Sequence, residues 1–298
     1  MGEALRAGAN RMSVARLIRL AAIGFGLAFG IYFVLTSPYR DAPLWPVWAP
    51  LVVAFTTAAG AVFGYGLDRW ADLSESHKVR VSNVAARIAS IMIGSLLVLL
   101  GSTQLPAPVR ASWRHVLLIS ILLMGGTPAA GAMEGTRLVA RNKSVRGAKG
   151  EQVAELVKLR QLLRGLLAAV GSLVALSTLA IGAALTLERS LTAGSGQGAA
   201  TTLPPQFVLV FGGTGSLLVA LFYVPAATAL RDRGKGLCDD LFPLEQANEA
   251  SAILNAAEGR NKLQGLLGME HGVVADLQTG LAILGPLLAS AAAAFLSP

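Results

Sequence analysis

The chain has 298 residues, 54% hydrophobic and 14% charged, and its 25 basic and 17 acidic residues give a formal charge of +8. A soluble domain carries roughly 25% charged residues, so the composition excludes an ordinary water-solvated enzyme, and the shortage of polar residues excludes disorder and a nucleic-acid binder. A single cysteine, Cys238, excludes an internal disulfide and a thiolate metal site.

The expected fold class is an all-α integral membrane protein, a polytopic helical bundle of six to seven transmembrane helices with two partly helical cytoplasmic loops. A lipid core about 30 Å thick asks for about 20 mostly apolar residues in a helix. Seven runs meet that length: Leu17 to Thr36, Pro46 to Leu67, Val84 to Gly101, His115 to Met133, Gly165 to Leu187, Phe207 to Leu230 and Val273 to Leu296. They are long and continuous, unlike the alternating segments of a membrane β-barrel.

The first run follows Arg6, Arg11, Arg16 and Arg19. It is too long for a signal-peptide core and no small-x-small cleavage site precedes Pro38, so it reads as a retained signal anchor. Gly26 and Gly30 within it, and Gly60 and Gly64 in the second run, have GxxxG spacing. Such glycines let two helices approach closely, either inside a bundle or between copies in a homo-oligomer. The third run holds Arg87 one turn inside its start, from where the side chain must snorkel to the headgroups. The fourth run closes a four-span membrane half, residues 1–133. Trp45, Trp48, Trp70, Trp113 and Tyr39 fall near span ends, where an aromatic belt belongs.

Residues 134–164 form a basic loop that turns amphipathic at Glu151, with Val153, Leu156, Val157, Leu159, Leu162 and Leu163 at helical spacing. Acidic residues early and basic residues late suit the helix dipole. The helix is expected to run straight into the fifth span, giving one rod about 57 Å long from about Gly150 to Leu187. Residues 165–230 carry spans five and six, joined by a small, polar linker from Glu188 to Gln206. The sixth contains FGGTGS at Phe211 to Ser216, which lacks the lysine and preceding strand of a phosphate loop and reads as a packing patch. Pro225 is expected to act as a hinge.

Residues 231–272 form an acidic loop. Leu244 to Leu267 is read as one or two helices, with Pro243 in the first turn and Glu258 four residues before Lys262. It is the candidate docking site for a cytoplasmic protein. The last span, within 273–298, has Asp276, Gln278 and Thr279 near its start and Pro286 as a second hinge. Those three polar residues, with Thr214 and Ser216, are the candidates to line a pathway.

Loop charge fixes the expected orientation. Of the 25 basic residues, 21 fall on one side of the alternating spans, and only Arg40, Arg110, Arg114 and Arg189 fall on the other. The expected location is therefore the bacterial inner (plasma) membrane, with the N-terminus in the cytoplasm and the C-terminus outside, or back in the cytoplasm if the last segment is re-entrant. Zinc-protease and serine-nucleophile motifs are missing, and His77, His115 and His271 are scattered, so no catalytic residue, metal set or cofactor is named. The expected function is a non-enzymatic membrane component, channel-like or an effector that oligomerises. The alternatives are a small-solute transporter and a scaffold subunit that recruits a cytoplasmic partner. Expected partners are the lipid bilayer, further copies of the chain and that cytoplasmic protein, with no nucleic acid.

Overall fold

The computed structural model describes residues 2–37, 40–79, 81–102, 113–142, 148–194, 206–244, 249–269 and 285. Among them there are seven helices and no strand: α1 Gly2–Leu35, α2 Trp45–His77, α3 Val81–Ser102, α4 Trp113–Arg141, α5 Lys149–Gly194, α6 Gln206–Leu241 and α7 Ala250–Leu266.

Five of these, α1, α2, α4, α5 and α6, are long and apolar enough to cross a membrane. The sequence-based count of six to seven is thus only partly met. The third run lies in α3, whose described apolar stretch is the shorter Val84–Ile93. The seventh, Val273 to Leu296, lies outside the described residues apart from Gly285, and so do Asp276, Gln278, Thr279 and Pro286.

Helix ends follow local chemistry. Pro46 sits in the first turn of α2, where its missing N–H costs nothing, and Lys78 closes the helix in the left-handed region at φ 52°. α7 is closed beyond Leu266 by Gly268, φ 64°, with the Met269 amide donating to the Gln264 carbonyl at 2.7 Å. This is the six-to-one bond of a Schellman cap, and glycine meets the left-handed backbone without steric cost.

In lipid there is little hydrophobic force between helices, so close van der Waals contact has to hold the bundle. α1 and α2 achieve it by laying glycine on backbone. An alanine at Gly26 would collide with the Thr56 carbonyl, and one at Gly60 with the Ala22 carbonyl. Gly30 faces Thr56 and Val53, while Gly64 faces Arg19, so the two helices are antiparallel. α2 then runs beside α4, with Gly125 on Ala59 and Gly66 on Pro128 and Ala129. Gly165 of α5 rests on the Tyr65 hydroxyl, and Gly215 of α6 on Val174. α2 and α4 occupy the middle, and both touch α5.

Large apolar side chains face outward: Leu20, Phe25 and Tyr32 on α1, and Leu217, Leu221 and Val224 on α6. Faces of this extent are liabilities in water and ordinary in a bilayer, which is the environment these helices fit.

The C-terminal ends of α2, α4 and α6 meet the N-terminal ends of α3 and α5 at one end of the bundle, called here the basic end. One sequence expectation changes there. α6 does not stop near Leu230 but continues through charged residues to Leu241, because Leu237 and Cys238 are buried against the neighbouring helices. Within Leu244 to Leu267 the described helix is α7, from Ala250, and residues 245–248 lie outside the described residues. α5 is one helix of 46 residues, about 69 Å long at 1.5 Å per residue.

Candidate functional site

The polar residues singled out from sequence divide into two groups. Asp276, Gln278 and Thr279 lie outside the described residues. Thr214 and Ser216 are buried on α6, flanking the Gly215 contact with Val174, and the Ser216 hydroxyl has no hydrogen-bond partner among the described residues. Most other buried hydroxyls turn back on their own helix. Thr56 donates to Val52 and Val53, Thr136 to Ala132, and Ser177 and Thr178 to Val174, each at 3.1 Å or less. Pro225 lies inside the unbroken span of α6. Trp48 of the expected aromatic belt is buried, and neither its indole N–H nor that of Trp45 has a partner among the described residues.

The main ionic centre lies one residue beyond the fourth apolar run. Glu134 is fully buried at 0% exposure, the lowest of any charged residue described. Arg137, one turn along α4, places its Nε 2.9 Å from both carboxylate oxygens and brings an Nη onto Oε1 as well. Arg87 of α3 adds its Nε 3.3 Å from Oε2. Gly131 and Gly135 flank the site on the same helix, and both meet the Trp70 ring of α2, which fills the space beside them.

This arrangement decides the chemistry. Both carboxylate oxygens of Glu134 are engaged by guanidinium N–H groups from two helices. The geometry suits a pin: α3 is joined to α4 by a pair largely shielded from water, where losing one partner is far more costly than at a surface. Arg87 is therefore not simply extended toward headgroups, since its guanidinium is engaged by Glu134.

Searching for charge-free runs could not find this site, because such a run ends where Glu134 begins. The usable signal was Glu134 and Arg137 three residues apart on one helix face, between small residues and with an arginine in the preceding span.

Further ties join the helices beyond this centre. The Arg233 guanidinium of α6 donates to the Val139 carbonyl at 2.8 Å and the Asn142 carbonyl at 3.1 Å, capping α4. Lys149 at the start of α5 donates to the Asp240 carbonyl at 3.0 Å. Arg160 of α5 donates to the Leu267 carbonyl at the end of α7. Asp239 pairs with Arg260, and His77 Nε2 lies 3.4 Å from Glu155. Several of these guanidinium and ammonium groups satisfy carbonyls left open at helix ends, so the basic end is built as a connected helical layer. No group of three or more metal-ligating side chains occurs among the described residues.

Comparison with protein-family models, with curated proteins and with solved structures found no match to this chain.

Proposed function

We propose that the chain is a six- to seven-span protein of the bacterial inner membrane, N-terminus in the cytoplasm, that works without catalysis as a scaffold presenting a rigid helical layer to a cytoplasmic partner. The observation that carries this reading is the cross-tied layer formed by the extensions of α5 and α6 with α7. On α7, Leu254 and Leu266 are each 71% exposed, although this helix is too short and polar to cross a membrane. Apolar side chains held out from a fixed polar layer are what a partner protein would cover. The GxxxG glycines support the same choice over assembly through those faces, since Gly26, Gly30, Gly60 and Gly64 are already used between α1 and α2.

The test is affinity capture of the full chain after crosslinking in its native membrane, compared with Leu254→Glu and Leu266→Glu combined. A partner in constant ratio that is lost from the variant supports the scaffold. No such partner, or one held equally by both forms, opposes it.

The channel-like reading has one observation in its favour, the buried and unpartnered Ser216 hydroxyl beside Thr214. Ion flux through liposomes carrying the purified protein, altered by Ser216→Val, would favour the channel. Saturable uptake of one solute would favour a transporter.

A further inference from the structure

The six long helices bring arginines to one level at the basic end. Their order along the bundle follows from what each lies beside on α2, which serves as a ruler. Arg19 of α1 lies against Gly64, and Arg164 of α5 is next to Gly165, which meets Tyr65. Arg69 is on α2 itself, with its guanidinium 5.2 Å over the Tyr65 ring. Arg87 and Arg137 meet at Glu134, beside Gly135, which lies on Trp70 and Leu73. Arg231 is two residues before Arg233, which caps α4 just beyond that point. The ruler from Gly64 to Leu73 spans about 14 Å at 1.5 Å per residue, a band that takes in one headgroup region, about 5–8 Å deep, and the outer part of the lipid core beside it.

Within this band the arginines have different tasks. Arg87 and Arg137 are spent on Glu134, and Arg69 is paired with Asp72 at 3.3 Å. Arg164 and Arg231 point outward, exposed on α5 and α6, and make no ion pair or hydrogen bond with any described residue. Arg16, one turn before Arg19, is likewise exposed. Val224, half exposed on α6, lies seven residues before Arg231 on the same helix face. A guanidinium offers a planar fork of donors that matches two phosphate oxygens.

We propose that Arg164 and Arg231 form a binding surface for the phosphates of anionic phospholipids in the leaflet at the basic end. The inference rests on the reading of α1, α5 and α6 as membrane spans. Lipid at this level bridges the two helices whose extensions carry the helical layer, so its headgroup charge bears on how firmly that layer is seated. A zwitterionic lipid has the same phosphate but no net charge to balance the surplus of basic residues.

The experiment uses the full chain in detergent micelles, with its apparent melting temperature measured on adding phosphatidylglycerol, phosphatidylcholine or inorganic phosphate at equal phosphate concentration. Phosphatidylglycerol is expected to raise the midpoint by several degrees and the other two to have little effect. Arg164→Gln with Arg231→Gln should remove at least half of that rise, while Arg40→Gln leaves it intact. Equal effects of phosphatidylglycerol and phosphatidylcholine on the unmodified chain overturn the proposal, as does full effect of free phosphate or full retention by the double variant. The comparison of lipids on the unmodified protein stands even if the variant does not fold. Failure of the underlying membrane reading is seen separately, as recovery of the chain in the soluble fraction of broken cells.

Discussion

Arg87 and Glu134 join two helices through a carboxylate that water does not reach: Nε of α3 lies 3.3 Å from Oε2 of α4, and the carboxylate is 1% exposed. Arg137 completes the clamp from the same helix as its partner. Glu134→Gln removes the charge and leaves two guanidiniums uncompensated, which is expected to destabilise the protein by about 3–5 kcal/mol. Arg87→Gln should cost less, because Arg137 still serves the carboxylate. The combined variant should lose less than the sum, and thermal unfolding of all three forms in detergent measures that coupling.

The α1–α2 contact yields a sharper contrast. Gly60→Ala forces a methyl group into the Ala22 carbonyl, and Gly26→Ala forces one into Thr56, so each should lower the melting midpoint and loosen α1. Gly24 on the same helix has open space where a methyl group would stand, with nothing within 4 Å, and Gly24→Ala should be neutral or stabilising by up to about 1 kcal/mol. Similar midpoints for Gly24→Ala and Gly60→Ala would contradict the contact described.

Arg233 holds open carbonyls at the end of α4. Arg233→Met keeps much of the stem and removes both bonds, which charged donors make worth about 1.5 kcal/mol or more. The measurement is amide hydrogen exchange over residues 138–142, expected to speed by roughly tenfold, since about 1.4 kcal/mol corresponds to a factor of ten. Unchanged exchange there would mean that the cap carries no stability.

On α7, Lys262 hydrogen-bonds and attracts the Glu258 carboxylate and holds its pKa below the ordinary glutamate range. A depressed folded value means that the pair stabilises above the unfolded value, about 4.3, and that this contribution is lost as pH falls through the folded value. Because the pair is fully exposed, the effect is local and small. Protection factors in α7, corrected for the intrinsic pH dependence of amide exchange, should fall below pH 4 in the native chain. Lys262→Gln should lower them already at pH 6 and flatten the dependence.

Much of the architecture was legible because lipid leaves few options: long charge-free runs had to be helices, and α1, α2, α4, α5 and α6 contain them. Helix approach was legible from glycine spacing, though spacing alone left open whether Gly26 and Gly60 would meet within one chain or between two. What local pattern could not show was set by tertiary contact. α6 passes through Arg231, Asp232 and Arg233 because Leu237 and Cys238 find buried positions further on, and hydropathy stops counting at the first charge. Glu134 was hidden for the same reason, since its burial depends on Arg87 from another helix. Asp276, Gln278 and Thr279 fall outside the described residues, so the expected pathway has no described geometry on its last span.

The proposed scaffold requires one spatial relationship above all, that the basic end is cytoplasmic and the opposite end faces outward. Single cysteines at exposed positions, Arg40→Cys at the opposite end and Lys235→Cys and Asn261→Cys at the basic end, in a Cys238→Ala background, report it directly. With a membrane-impermeant maleimide on intact spheroplasts, Arg40→Cys should label, and the other two only after permeabilisation. Labelling at Lys235→Cys or Asn261→Cys in intact spheroplasts, with Arg40→Cys protected, would contradict that orientation and the scaffold with it.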